Sequence, residues 1–188
     1  MAMKLILVGS STGGPNQLKF LFNDLKLQNA CVVIAQHMST NFIDSFIKKF
    51  DEEALSSVMS AEDKEVLKTG NIYICKRNLI LEGSLNVCVK FSNEHTTFNP
   101  NINLLFKSAV SLAKTNHIAA VLLTGMGDDG ARGLFELYKA GALCLCENEQ
   151  DSVVYGMPKK AKEMNPNLMP MSLVELKREL IKFIEKES

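Results

Sequence analysis

Apolar positions along the chain fall into short unbroken runs, separated by stretches in which they recur at helical spacing. Residues 4–8, 30–35, 118–123 and 142–146 are apolar almost throughout and bounded by glycine or polar residues, the pattern of strands covered on both faces. Ile102, Leu105, Phe106, Ala109, Val110 and Ala113 line up as one apolar stripe and predict a helix. Another helix is predicted to start at Ser172, with Glu175 in capping-box position, and to run on through Leu176, Leu180, Phe183 and Ile184. Helices are also expected over residues 15–26, 41–50 and 131–140. Strands alternating with helices imply an α/β fold: doubly wound, with a mainly parallel sheet and helices on both faces. The middle departs from this. Residues 71–75, 79–82 and 85–91 are short β-like runs split by turn residues such as Gly83-Ser84, which predicts a short β-hairpin excursion.

A chain of 188 residues without internal repeat or proline-rich linker is expected to form one domain over residues 1–188. Lys plus Arg (21) cancels Asp plus Glu (21), so no overall positive field draws nucleic acid or an anionic membrane. The first apolar run is too short for a signal segment or a membrane span. The expectation is a cytoplasmic protein with no nucleic-acid partner and no membrane insertion. The five cysteines show no C-x-x-C pair or metal-type spacing and are expected as reduced core thiols. Cys144 and Cys146, on one face of a strand, are the best remaining metal or redox candidates.

In an open parallel sheet the ligand crevice lies beyond the carboxyl ends of the strands, so the residues that follow each apolar run carry the chemistry. The first run leads to Gly9-Ser10-Ser11-Thr12-Gly13-Gly14-Pro15, the second to Gln36-His37-Met38, and the third to Thr124-Gly125-Met126-Gly127-Asp128-Asp129-Gly130. If these strands are neighbours, a hydroxyl, an imidazole and a carboxylate meet at one edge: a nucleophile, a base and an orienting acid. The first loop is neither a P-loop nor G-x-G-x-x-G nor G-x-S-x-G. A non-catalytic module holding phosphate or nucleotide at a helix N-terminus is the alternative. Structural roles also stand open. Ser10, Ser11 or Thr12 can cap a helix near Pro15, and Asp128 or Asp129 one at Ala131. His95 and His117 stand in polar surroundings and are expected at the surface.

At these residues the sequence resembles the catalytic domain of the chemotaxis protein-glutamate methylesterases, the CheB family. The matching segments are Val-Gly-Ser-Ser-Thr-Gly-Gly at 8–14, Ile-Ala-Gln-His-Met at 34–38, Pro-Asn-Ile-Asn-Leu-Leu-Phe at 100–106 followed by Ser108-Ala109, Leu-Thr-Gly-Met-Gly-Asp-Asp-Gly at 123–130, and Val-Val-Tyr-Gly-Met-Pro at 153–158. The resemblance implies Ser11 as nucleophile, His37 as general base and Asp129 as orienting acid. It also implies Thr12 and the backbone N–H of Met126 as oxyanion or substrate-binding groups. The reaction implied is hydrolysis of glutamate γ-methyl esters on the cytoplasmic helices of methylated chemoreceptors, with deamidation of particular glutamines. It proceeds through an acyl-enzyme, and no metal or organic cofactor is required.

The chain also departs from the family pattern. Typical members carry an N-terminal phosphoacceptor receiver domain that covers the site, whereas here the first strand begins at Lys4. A receiver-free domain with constitutive access is therefore expected, its turnover unchanged by acetyl phosphate. Residues 73–79 lack the usual Pro-Gly turn, with Lys76-Arg77 in its place and Asn78 near the family's histidine position. Asp128 stands where Asn is common and adds a second carboxylate beside Asp129.

Overall fold

The computed structural model describes residues 2–186. Its main sheet contains β1 (Lys4–Ser10), β2 (Ala30–Gln36), β3 (Ser57–Ser60), β4 (Asn71–Ile74), β7 (His117–Leu122), β8 (Leu143–Glu147) and β9 (Pro170–Met171). The seven strands lie in the order β3-β4-β2-β1-β7-β8-β9, and every pairing between them is parallel. From β1 the chain moves outward to β2 and on to the edge strand β3, comes back to place β4 between β2 and β3, then crosses to add β7, β8 and β9 on the other side. The strand order therefore reverses between β1 and β7, which is where such sheets open a crevice.

Successive side chains of a strand point to opposite faces, and the core divides accordingly. Ile6, Val8, Val32 and Ile34 pack with Leu18, Leu21 and Phe22 of α1 (Gly14–Phe22), Phe46 and Phe50 of α2 (Thr40–Glu53) and Leu176 and Leu180 of α6 (Leu173–Glu185). Leu5, Leu7 and Val33 face the other way. They meet Leu105 and Phe106 of α3 (Ile102–Ser108), Leu134 and Leu137 of α4 (Ala131–Lys139) and Met157 and Ala161 of α5 (Met157–Met164). Burial of each such large side chain contributes about 1.5–3 kcal/mol. Helices on both faces of a parallel sheet are the doubly wound architecture expected from the sequence. The capping box at Ser172 and Glu175 is present as well.

The hairpin is smaller than its sequence pattern suggests. It comprises β5 (Leu79–Glu82) and β6 (Cys88–Phe91), paired antiparallel. Residues 71–75 do not belong to it, because Ile72, Tyr73 and Ile74 are buried in β4 between β2 and β3. The stripe over 102–113 is not one helix either. Ala109 and Val110 donate to Phe106 and Lys107, three residues back, which tightens the end of α3. The stripe resumes only as a 3-10 turn at Ser111–Lys114. His95 and His117 are exposed.

Candidate active site

Ser11 is the first residue beyond β1, and its N–H donates to the Thr124 carbonyl at 2.9 Å, tying it to the loop that follows β7. The chain then turns at Gly13, whose φ of 88° suits glycine, and a Cβ there would lie 2.4 Å from Val153 Cγ2. Gly13 is also the N-cap of α1, and no side chain caps that helix. The capping roles open to Ser10, Ser11 and Thr12 are therefore not taken. Ser10 is buried and donates its hydroxyl to Gln36 Oε1 at 2.6 Å. Ser11 is half-buried at the rim, and Thr12 is exposed.

Gln36 and His37 follow from the neighbouring strand. Ser10 pairs with Gln36 at the end of the sheet register, so Ser11 and His37 each directly follow one of two paired residues. The buried Gln36 amide stitches the two loops together, donating through Nε2 to the carbonyls of Ser11 and His37, both at 2.9 Å. The His37 N–H donates back to the Ser10 carbonyl at 2.9 Å.

His37 Nε2 lies 2.8 Å from Asp129 Oδ2. Its other ring nitrogen, Nδ1, is buried and has no hydrogen-bond partner among the described residues. Asp129 does not cap α4, which begins after Gly130 without a side-chain cap. The Asp129 carboxylate instead accepts from the N–H groups of Ile102 at 2.8 Å and Asn103 at 2.9 Å, the first turn of α3. Free N–H groups at a helix start suit a carboxylate. Burial pushes this carboxyl upward, but the hydrogen bonds from His37, Ile102 and Asn103 outweigh that and hold it below the usual carboxylate range. It therefore stays ionised and fixes the imidazole. The neighbouring Asp128 is exposed, and its carbonyl accepts from the Ala131 N–H.

Two further groups shape the site. Asn78, 3% exposed, donates to the Glu94 carbonyl and to Thr96 Oγ1, and its Oδ1 accepts from the Asn101 N–H. It thereby organises the segment that enters α3, and the ring of Phe98 in that segment stacks on His37, with centroids 4.5 Å apart. Glu147, fully buried at the end of β8, accepts from the Thr124 N–H at 2.6 Å and from Gln17 Nε2. Thr124 in turn holds Ser11 through its carbonyl and donates Oγ1–H to the Thr12 carbonyl at 2.9 Å. The next residue must be small, since a Cβ at Gly125 would lie 2.6 Å from Ser11 Cβ and 2.5 Å from Met157 Sδ. The side chains of Met126 and Val153 stand exposed on this rim.

Glu147 obeys the same rule as the polar ends of the first three strands, because it ends the fourth apolar run. Burial lifts its carboxyl to about 7 against an ordinary 4.5, with the Thr124 N–H pulling the other way. The folded chain therefore binds this proton more tightly than the unfolded chain, and stability falls as pH rises from 4.5 to about 7. Glu147→Gln removes that dependence, so the Tm of the variant climbs relative to the parent across the same interval. Thermal unfolding of both proteins at a series of pH values checks this, and parallel curves would contradict it.

No group of His, Cys, Asp and Glu among the described residues is arranged to hold a metal ion. Burial pushes the Cys144 and Cys146 thiols up to about 12, so both stay protonated. No described helix is long and apolar enough to cross a membrane.

These features define an α/β domain that carries Ser, His and Asp at the switch point of a parallel sheet. Residues 6–180 match the family model described as CheB methylesterase, and the chain belongs to that family. Over 97% of its length it superposes on 99% of the catalytic domain of the Thermotoga maritima CheB methylesterase, with a TM-score of 0.88 and 30% identity. A Borreliella burgdorferi protein named protein-glutamate methylesterase/protein-glutamine glutaminase is 35% identical over 90% of this chain and 46% of its own. A Carboxydothermus hydrogenoformans protein of the same description is 39% identical over 85% of this chain and 48% of its own. The chain thus spans about half the length of the curated relatives it matches.

Proposed function

We propose that this chain is a protein-glutamate methylesterase domain that hydrolyses γ-methyl esters of glutamate on the cytoplasmic helices of chemoreceptors, and that it works in the cytoplasm as one domain. The observation that carries the reading is the state of His37: Nε2 is committed to an ionised carboxylate, while Nδ1 is buried without a partner among the described residues, on the strand end next to the one that Ser11 follows. An imidazole held in that way accepts a proton at Nδ1 and nowhere else.

In this mechanism His37 Nδ1 takes the Ser11 hydroxyl proton as Oγ attacks the ester carbonyl, and Asp129 stabilises the imidazolium. The oxyanion is met by the Thr12 side of the turn after Ser11 and by the Met126 N–H; the Gly14 N–H is already bound to the Ser11 carbonyl. The tetrahedral intermediate collapses, His37 returns the proton to the methoxide oxygen, and methanol leaves an acyl-Ser11. Water activated by the same imidazole then releases glutamate. The name shared by the relatives also includes glutaminase activity. The same steps with ammonia as leaving group deamidate a glutamine. Exposed Met126 and Val153 beside Ser11 offer apolar contact to a helix that presents its ester to the rim.

Incubation with a methylated receptor cytoplasmic fragment, followed by mass spectrometry, tests the assignment. The expected result is loss of one CH2 unit per ester with matching methanol release. Esters that remain intact under conditions where the domain is folded would overturn it.

A further inference from the structure

An aromatic ring lies flat against the imidazole of His37. Phe98 and His37 lie nearly parallel, 10° apart with centroids at 4.5 Å. The contact is built from both sides of Phe98. Its carbonyl accepts from Thr96 Oγ1, which in turn accepts from Asn78 Nδ2 at 2.7 Å. On the other side, Asn99 Oδ1 accepts from the Asn78 N–H at 2.6 Å, and the Asn101 N–H donates to Asn78 Oδ1 at 2.8 Å. One buried asparagine, through its side chain and its backbone N–H, thus pins the segment before and after a half-buried phenyl ring. Across the rim that ring reaches the loop after β7, where a Cβ on Gly127 would lie 3.9 Å from Phe98 Cζ.

Resting on the methylesterase mechanism above, we propose that Phe98 is a positioning residue for His37. A flat neighbour at this distance resists rotation of the imidazole away from the plane that keeps Nε2 on Asp129 and leaves Nδ1 free to accept a proton. It also acts at one particular step. When the proton leaves Ser11 Oγ for Nδ1, the ring becomes an imidazolium lying over the negative face of the phenyl quadrupole, an attraction that neutral imidazole lacks. The contact therefore strengthens as the transition state forms, and it lowers the barrier rather than tightening substrate binding. When His37 hands the proton to the leaving methoxide, the attraction is lost again and the ring is reset.

The test compares Phe98→Leu and Phe98→Tyr with the parent on a methylated receptor fragment, with His37→Ala as reference. Phe98→Leu is expected to lower kcat about 10-fold with KM within about twofold, the size of a desolvated cation–π contact. In NMR spectra its His37 ring-proton signals move downfield as the phenyl shielding is lost. Phe98→Tyr keeps a ring and restores both kcat and the shielding. An unchanged kcat in Phe98→Leu, a rise in KM alone, or failure of Phe98→Tyr to rescue would overturn the proposal. His37→Ala separates the two levels: full activity there removes the methylesterase mechanism itself. An inactive His37→Ala beside a normal Phe98→Leu removes only the role of Phe98.

Discussion

On the proposed mechanism Ser11→Ala is expected to lower methyl ester hydrolysis by about 10⁶-fold, because the members of such a constellation act as a unit and removing the nucleophile forfeits the whole covalent route. Only the residual catalysis of positioned N–H groups remains. The loss is confined to chemistry. Ser11 holds its loop through the backbone, with its N–H on the Thr124 carbonyl and its own carbonyl accepting from Gly14 N–H and Gln36 Nε2. Alanine keeps all three bonds, so the Tm of the variant stays close to that of the parent. Turnover measured with methanol detection, alongside thermal unfolding, separates the two. A folded variant with activity near that of the parent would remove Ser11 as nucleophile.

Asp129→Asn is expected to lower turnover by about 10⁴-fold, the scale known for replacing the orienting carboxylate of a serine protease. Unlike Ser11→Ala, it also destabilises the fold. Three donors surround this carboxylate: His37 Nε2, the Ile102 N–H and the Asn103 N–H. An asparagine offers one oxygen to them and turns its own N–H2 toward a donor, which leaves a buried donor unsatisfied at a cost of about 1–3 kcal/mol. Acid unfolding reports the same bonds. The folded carboxyl lies below its ordinary 3.8, so its contribution to stability is present above that pH and is lost as pH falls through the lower folded value. In Asp129→Asn that acid-side slope is shallower. A variant as stable as the parent at neutral pH, with the same acid limb, would show that the clamp contributes nothing.

The proposed reacting groups were legible because each directly follows a buried run, and a strand that ends in a polar step announces a rim. Ser11, His37 and the 124–130 loop all follow that rule. Spacing alone did not choose between Ser10 and Ser11. The structure shows the physical distinction: Ser10 still lies in β1, with its hydroxyl bonded to Gln36, while Ser11 is the first residue outside. Asp129 was open to capping the next helix, and it does bind a helix start, but that of α3, which is remote in sequence. No local pattern encodes such a contact.

The supporting residues were less visible for the same reason. Asn78 read only as a departure from a family pattern, and Phe98 carried no signal, since its stack on His37 depends on the path of residues 92–101. In the fold, residues 71–75 have the apolar character of the central strands, but their nearness to the hairpin drew them into it. The edge strands are faint: β3 alternates Ser, Val, Met and Ser, and β9 has two residues. The α5 segment buries only Met157, Pro158 and Ala161, too narrow a stripe to stand out among its lysines.

The central claim is that Ser11 is a nucleophile activated by an imidazole that Asp129 holds in place. The most direct measurement is labelling with a fluorophosphonate, which reacts only with an activated hydroxyl, followed by peptide mass spectrometry. The account predicts one adduct, on the peptide containing Ser11, absent in Ser11→Ala and nearly absent in His37→Ala. An adduct that persists in Ser11→Ala, or no adduct on the folded parent, would contradict it.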